Sequence, residues 1–222
     1  MKILTALLLT CLENKVYAES YSKDPKVYLE QLDLQNETIN NIADSLVTEN
    51  DGVKERILKA FRYVAEHTNY IAEEGEDIKT PIRTYNEGGG DCEDLSLFLI
   101  ALLDRMDVWS YMFYQKTHVS VLAGPLNEEE LKYFIPKNRK ESVTAFNLSK
   151  NDTNLFVYLE ATAGVNGYPG WSKPEMINTA LVVQPNGYIV GTYGTNIFPV
   201  MMRNRSLLEW NLENSLIKKE IN

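Results

Sequence analysis

Gly88-Gly89-Gly90-Asp91-Cys92-Glu93-Asp94-Leu95-Ser96-Leu97-Phe98-Leu99-Ile100-Ala101-Leu102-Leu103 is the stretch on which the reading of this chain turns. Three glycines allow positive φ and close approach of another backbone. Asp91 is a good N-cap type. A thiol then falls at the first helical residue, with two carboxylates in the same turn. The run that follows is apolar on all sides, which predicts a buried helix over 92–106. A cysteine at such a helix start lies in the positive end of the helix dipole, and the expectation is a thiol pKa below the usual ~8.5.

Upstream, a helix is predicted from Pro25 to Leu34. Apolar residues at 39, 42, 43, 46 and 47 form a second helical stripe, and those at 53, 57, 60, 61, 64 and 65 a third that runs to His67. The third helix is amphipathic and needs a partner, for which the Cys92 helix is the nearest candidate. His67 at its end suits the negative end of the dipole and reads as structural. Residues 73–90 read as a long acidic and glycine-rich loop that delivers the chain to Cys92.

Downstream the period changes to two. Val108–Tyr114 and Thr117–Leu122 read as strands, rich in aromatic and β-branched residues. Residues 124–152 read as a polar surface excursion with one short helix. Asn154–Ala161 is a third strand, and Ala180–Val183 and Tyr188–Tyr193 flank the turn Pro185-Asn186-Gly187. Residues 205–221 read as a C-terminal helix, and Trp109 and Trp171 as packing residues. Helices first and an antiparallel sheet after them predict an α+β fold.

The chain has 222 residues, with 44% hydrophobic and 24% charged, the balance of one globular domain. Its net charge is −9 and its Lys and Arg form no cluster, which argues against nucleic acid as a partner. The two cysteines, Cys11 and Cys92, make neither a disulfide framework nor a zinc motif, and no cofactor or metal is expected. Met1-Lys2 and the apolar run to Leu12 resemble a secretory signal that ends at Val16-Tyr17-Ala18. That run is too short to span a membrane. The expectation is therefore a signal over 1–18 and an exported domain over 19–222, with its core at about 55–195. Cleavage would leave Cys92 as the only thiol.

In chain order there is a thiol at a helix start, His118 at a strand start, and Glu160 near the end of a later strand. This is the order that a Cys-His-acid group needs if the helix packs on the sheet. The thiolate attacks a carbonyl, the imidazole takes and returns a proton, and the acid orients the imidazole.

Three segments carry a resemblance to the transglutaminase-like superfamily of papain-like fold. They are Gly90-Asp91-Cys92-Glu93-Asp94, Thr117-His118-Val119-Ser120-Val121 and Tyr158-Leu159-Glu160-Ala161-Thr162. Thr80-Pro81 also resembles the Thr-Pro that precedes the cysteine motif in bacterial cysteine-protease members. The resemblance spans roughly residues 55–162. It implies a papain-like core, with Cys92 as nucleophile, His118 as general base and acid, and Glu160 where Asp is commoner. The implied activity is thiol-dependent hydrolysis of an amide or peptide bond in a protein or peptide substrate. Its alternatives are acyl transfer to an amine, as in transglutaminases, and a non-catalytic peptide-binding module. The oxyanion donors it calls for are the Cys92 N–H and a side chain upstream, for which Tyr85 and Asn86 are candidates.

Overall fold

The computed structural model describes residues 24–73, 75, 77–135, 142–149, 153–172, 180–193 and 197–202. The expected signal over 1–18 and the expected helix over 205–221 lie outside these residues. The elements in order are α1 (Pro25–Leu29), α2 (Glu37–Leu46), α3 (Val53–His67), β1 (Asn69–Tyr70), α4 (Pro81–Glu87), β2 (Gly89–Gly90) and α5 (Cys92–Arg105). They continue with β3 (Trp109–Gln115), β4 (Val119–Leu126), α6 (Glu128–Lys132), β5 (Val143–Asn147) and β6 (Leu155–Leu159). A 3₁₀ turn (Ala161–Asn166), β7 (Ala180–Val183), β8 (Ile189–Thr192) and β9 (Phe198–Met202) complete the described chain. The mixture of helices with an antiparallel sheet is the expected α+β class.

Helix α5 is the central element. Every residue from Asp94 to Leu103 is buried. The helix packs on β3 and β4 on one side and on α2, α3 and α4 on the other. Each fully buried Leu, Ile or Phe of this run stabilises the fold by about 1.5–3 kcal/mol. Helix α3 presents Ile57, Ala60, Phe61, Val64 and Ala65 inward, as its stripe predicts, and it lies against α5.

The sheet has seven strands in the order β8-β7-β3-β4-β6-β5-β9, and every pairing in it is antiparallel. Six inter-strand steps would separate the two edge strands by about 29 Å in a flat sheet. The chain nevertheless goes directly from β8 to β9, and Ile197 N–H donates to Thr192 C=O at 3.3 Å. The sheet must therefore curl until its edges approach. Curling creates two apolar regions. Val119, Val121, Ala123, Val157 and Leu159 face the helices. Phe113, Leu122, Phe146, Phe156 and Tyr158 fill the opposite, concave side.

Two stretches differ from expectation. Residues 73–90 are not one loop. Thr80 caps α4 by accepting from Arg83 N–H, Pro81 opens the helix, and Gly88 ends it in the left-handed conformation, with φ 72°. Beyond it, β2 pairs in parallel with β1, Asn69 opposite Gly89 and Tyr70 opposite Gly90. A helix of two turns bounded by Pro and Gly has too few apolar positions to register as a stripe. Residues 124–152 hold the expected short helix, α6, but also the end of β4 and the whole of β5. Val143-Thr144-Ala145-Phe146 is a buried strand, and its neighbours in sequence hid it. Strand β9 was also not expected, so the sheet runs past residue 195.

The glycine run is a matter of space. A methyl carbon added at Gly89 would press on the Asn69 backbone, and one at Gly90 would sit 2.5 Å from Asp94 Cβ. Gly90→Ala should therefore force α5 away from β2 and cost about 1–3 kcal/mol. Urea unfolding measures this. A wild-type midpoint for the variant would mean that the turn relaxes freely.

Candidate active site

Cys92 stands at the first position of α5, where Asp91 is the N-cap residue and Asp94 Oδ2 accepts from Asp91 N–H at 3.4 Å. Asp94 has no exposed surface. Its Oδ1 accepts from Lys79 N–H at 2.8 Å, and its Oδ2 lies 3.6 Å from Lys79 Nζ. Lys79 is itself 4% exposed and also meets Glu73 and Glu87. Burial pushes the Asp94 carboxyl up, against the hydrogen bond and charge of Lys79. Burial opposes the charge on Lys79, but Glu73 and Asp94 hold its ammonium above the usual range. This buried knot fixes the turn in front of the thiol.

His118 lies in the turn just before β4, one residue earlier than a strand start. Glu160 follows β6 and opens the 3₁₀ turn. Strands β4 and β6 are neighbours, with Val121 opposite Leu159. That pairing brings the two side chains together: His118 Nε2 and Glu160 Oε2 are 2.8 Å apart. Glu160 is fully buried and takes three further hydrogen bonds. Tyr158 Oη donates to Oε2 at 2.9 Å, Thr162 Oγ1 to Oε1 at 2.6 Å, and Thr162 N–H to Oε1 at 3.2 Å. Burial works against the charge, but His118, Thr162 and Tyr158 together keep the carboxyl below its ordinary range. Glu160 is therefore an ionised acceptor. Burial, then the Glu160 charge, pushes the Tyr158 hydroxyl far up, so it remains a donor.

The thiol lies beside the same turn. The Val119 backbone N–H, next in sequence to His118, favours the Cys92 thiolate, but other causes outweigh it. The thiol donates to Glu93 Oε2 at 3.2 Å. Among the described residues it makes no hydrogen bond to His118. Burial first, then the Glu93 carboxylate, push the thiol well above its ordinary pKa. The expected low-pKa thiol is thus corrected. The helix dipole is present, but partial burial and the acids beside the thiol oppose it and prevail.

Asp91, Cys92 and Glu93 place one donor atom each within 4.8 Å of one another, the arrangement among the described residues where a cation would meet three donors. The two carboxyls, however, bond each other. Burial, and then this contact, push Asp91 up to about 8.

Several neighbours were not anticipated. Tyr70, opposite Gly90 on the β1–β2 ladder, is 55% exposed. Burial raises its hydroxyl pKa, and so do the charges of Cys92, Asp91 and Glu93, so it stands at the lip of the site. Lys79, Tyr158 and Thr162 act through Asp94 and Glu160. Tyr158 and Thr162 flank Glu160 in sequence, and their alternation with it was the available signal. No local pattern marks Tyr70 or Lys79. Of the two candidate oxyanion side chains, Tyr85 bonds Tyr63 and packs on Phe98, while Asn86 is exposed on α4. His67 bonds the Tyr63 carbonyl at 2.9 Å and stacks on its ring, a structural role as expected.

Comparison with known proteins adds little. No family model and no curated protein matches the chain. One solved structure, described as a candidate cysteine protease from Cytophaga hutchinsonii, aligns with a TM-score of 0.38 at 14% identity. The alignment covers 78% of this chain and 53% of that one, so the chain spans about half the length of that protein. Among the described residues no helix is long and apolar enough to cross a membrane.

Two outcomes follow from the charges. Glu93→Gln removes a negative charge from beside the thiol, so its pKa should fall and iodoacetamide labelling at pH 7 should speed up several-fold. Slower labelling would mean that Glu93 activates the thiol. Asp91 is raised from 3.8 to about 8 on folding. The folded state therefore holds a proton that the unfolded chain releases. This contribution to stability is complete below pH ~4 and is lost as pH rises through about 8. Asp91→Asn should flatten the fall in melting temperature between pH 5 and 8. An unchanged slope would assign that fall to other groups.

Proposed function

We propose that this chain is a papain-like thiol hydrolase of the transglutaminase-like superfamily that cleaves an amide or peptide bond in a protein or peptide substrate. The observation that carries the reading is the buried, ionised Glu160 held on His118 Nε2. An ionised Glu160 accepts, so in the neutral ring Nε2 carries the proton and Nδ1 keeps the lone pair. Nδ1 is then the nitrogen this reading assigns as base once the thiol turns toward the ring. His118 takes the thiol proton as Sγ attacks the carbonyl carbon, and Glu160 stabilises the imidazolium. The proton passes to the leaving amine as the C–N bond breaks and the thioester remains. Water, deprotonated by the same nitrogen, hydrolyses the thioester. Cys92 N–H, at the first position of α5, has no acceptor within the helix and supports the oxyanion. The reading takes residues 1–18 as an export signal and water, rather than an amine, as acceptor.

A raised thiol pKa suits this route. The proton leaves in the attack itself, because no standing thiolate is populated near neutral pH. Glu93 must release the thiol, which requires Cys92 to turn from Glu93 toward His118. The same contact favours a second reading, a peptide-binding module whose thiol stays parked on Glu93.

An electrophilic peptide library separates the two. The enzyme reading expects covalent capture at Cys92, abolished by Cys92→Ala. For a substrate found this way, Glu160→Gln should lower kcat by about 10²–10⁴ with little change in KM, because it costs the imidazolium its counter-charge. His118→Ala should do at least as much harm. Reversible binding of the same peptides without capture, unaffected by His118→Ala, would leave the binding module.

A further inference from the structure

At the far end of α5, about 20 Å from Cys92 along the helix, the fold leaves a cavity of about 510 Å³. Its wall includes Asp104 and Asp107 from the helix end, Trp109 and Ser110 from β3, and Gln184 and Asn186 from the turn between β7 and β8. The volume falls in the range of small-molecule sites. Four features of this wall point to one kind of guest.

Trp109 is 63% exposed, although a tryptophan in an aromatic strand is expected to pack inward. Its ring is thus available to something outside the fold. Asp104 and Asp107 form no ion pair among the described residues. Two of the cations near them are engaged elsewhere, while Lys26 lies outside the wall against Pro185, Asn186 and Gly187. Arg105 pairs with Asp44, and Arg56, which is not part of the wall, donates to the Met106 and Asp51 carbonyls. Burial, then the charge of Asp107, pushes the Asp104 carboxyl up, the sign of an acid without a counter-ion. Ser110 is 5% exposed, lines the cavity and makes no side-chain hydrogen bond among the described residues. Finally, Asp107 holds φ 56°, the left-handed position of a Schellman motif closed by Val108 N–H to Leu103 C=O and Asp107 N–H to Asp104 C=O. Glycine fits that position without strain, and an aspartate there puts a carboxylate on the cavity wall at a cost in stability.

We infer that this cavity is a second binding site that takes one organic cation, a guanidinium or alkylammonium group, against the Trp109 ring and between the Asp104 and Asp107 carboxylates. Aromatic faces attract cations, and the negative end of the α5 dipole adds to the two carboxylates. Gln184 and Asn186 are neutral and contribute no competing charge. The Ser110 hydroxyl can accept from an N–H of the guest. The site lies at the opposite end of the sheet from Cys92, since Trp109 pairs with Gly124 while Tyr114 pairs with Val119. It stands whether or not Cys92 is catalytic.

Calorimetric titration of the full chain with Nα-acetyl-arginine methylamide tests the inference, with the neutral Nα-acetyl-citrulline methylamide as control. Saturable binding of the arginine probe is expected, at least ten-fold tighter than the citrulline probe and weakened by added salt. Asp104→Asn with Asp107→Asn, and separately Trp109→Ala, should each weaken it at least ten-fold. Asp107→Gly guards against misfolding as the explanation: it should raise the melting temperature and still weaken binding. A tripeptide with a central arginine distinguishes a polypeptide source, if it binds more tightly than the amino-acid probe, from a small free cation, if it does not. Equal binding of the two acetyl probes, no saturation with the arginine probe, or wild-type affinity in the Asp107→Gly variant would overturn the inference.

Discussion

A carboxylate with no exposed surface, Asp94, ties together the parts on which the site depends. It receives the Lys79 N–H, faces the Lys79 ammonium, and receives the Asp91 N–H across the turn. The segment before α4, the glycine strand β2 and the first turn of α5 are therefore one unit. Removing one partner from a buried ion pair typically costs about 3–5 kcal/mol, because the other charge is stranded. Lys79 limits that exposure by bridging Glu73 and Glu87 as well. Gly90 must lack a side chain because Asp94 occupies the space where it would stand.

A second buried carboxylate shows how far surroundings decide behaviour. Glu160 and Asp94 both have no exposed surface. Glu160 accepts from His118, Tyr158 and Thr162, and its pKa is held down. Asp94 has two backbone N–H donors and one ammonium at 3.6 Å, and burial prevails, so its pKa is raised. The difference lies in the number and closeness of donors. Their partners differ accordingly: Glu160 holds the His118 ring, whereas Asp94 holds backbone N–H groups.

The sequence made the long and regular elements legible. Helix α5, helix α3 and the pair β3–β4 carry enough residues for their periods to show. Cys92, His118 and Glu160 were legible through their order and neighbours, and the β4–β6 pairing brings the last two into contact. The short elements were not legible. Helix α4 has seven residues, β1 and β2 two each, and β5 is a buried run inside a polar stretch. Tyr70 reaches the site only because β1 pairs with β2, a long-range fact with no local trace. The curl of the sheet was equally hidden, because it follows from the strand order. Trp109 escaped for another reason. Its composition matches a packed strand, and only its place at the strand's mouth leaves it in solvent.

The reversal at Cys92 is the most instructive of these differences. A helix N-terminus supplies about half a positive charge, spread over several N–H groups. Against it stands the Glu93 carboxylate, a full charge whose oxygen is 3.2 Å from the sulfur, with Asp91 beside it. At effective dielectric constants near 20, a unit charge at ~4 Å is worth about 4 kcal/mol before desolvation is counted. Half a charge further away cannot match it, and the burial of the thiol, the larger cause, acts on the same side. Glu93 and Asp94 were read as complements to the dipole, and electrostatically they are. The Glu93 charge that stabilises the helix end destabilises a thiolate placed within it. A dipole argument for a cysteine is therefore complete only when the acids of the first turn are counted with it. Here the turn carries Glu93 and Asp94 behind an Asp91 cap, and the outcome is a thiol that keeps its proton until a base is brought to it.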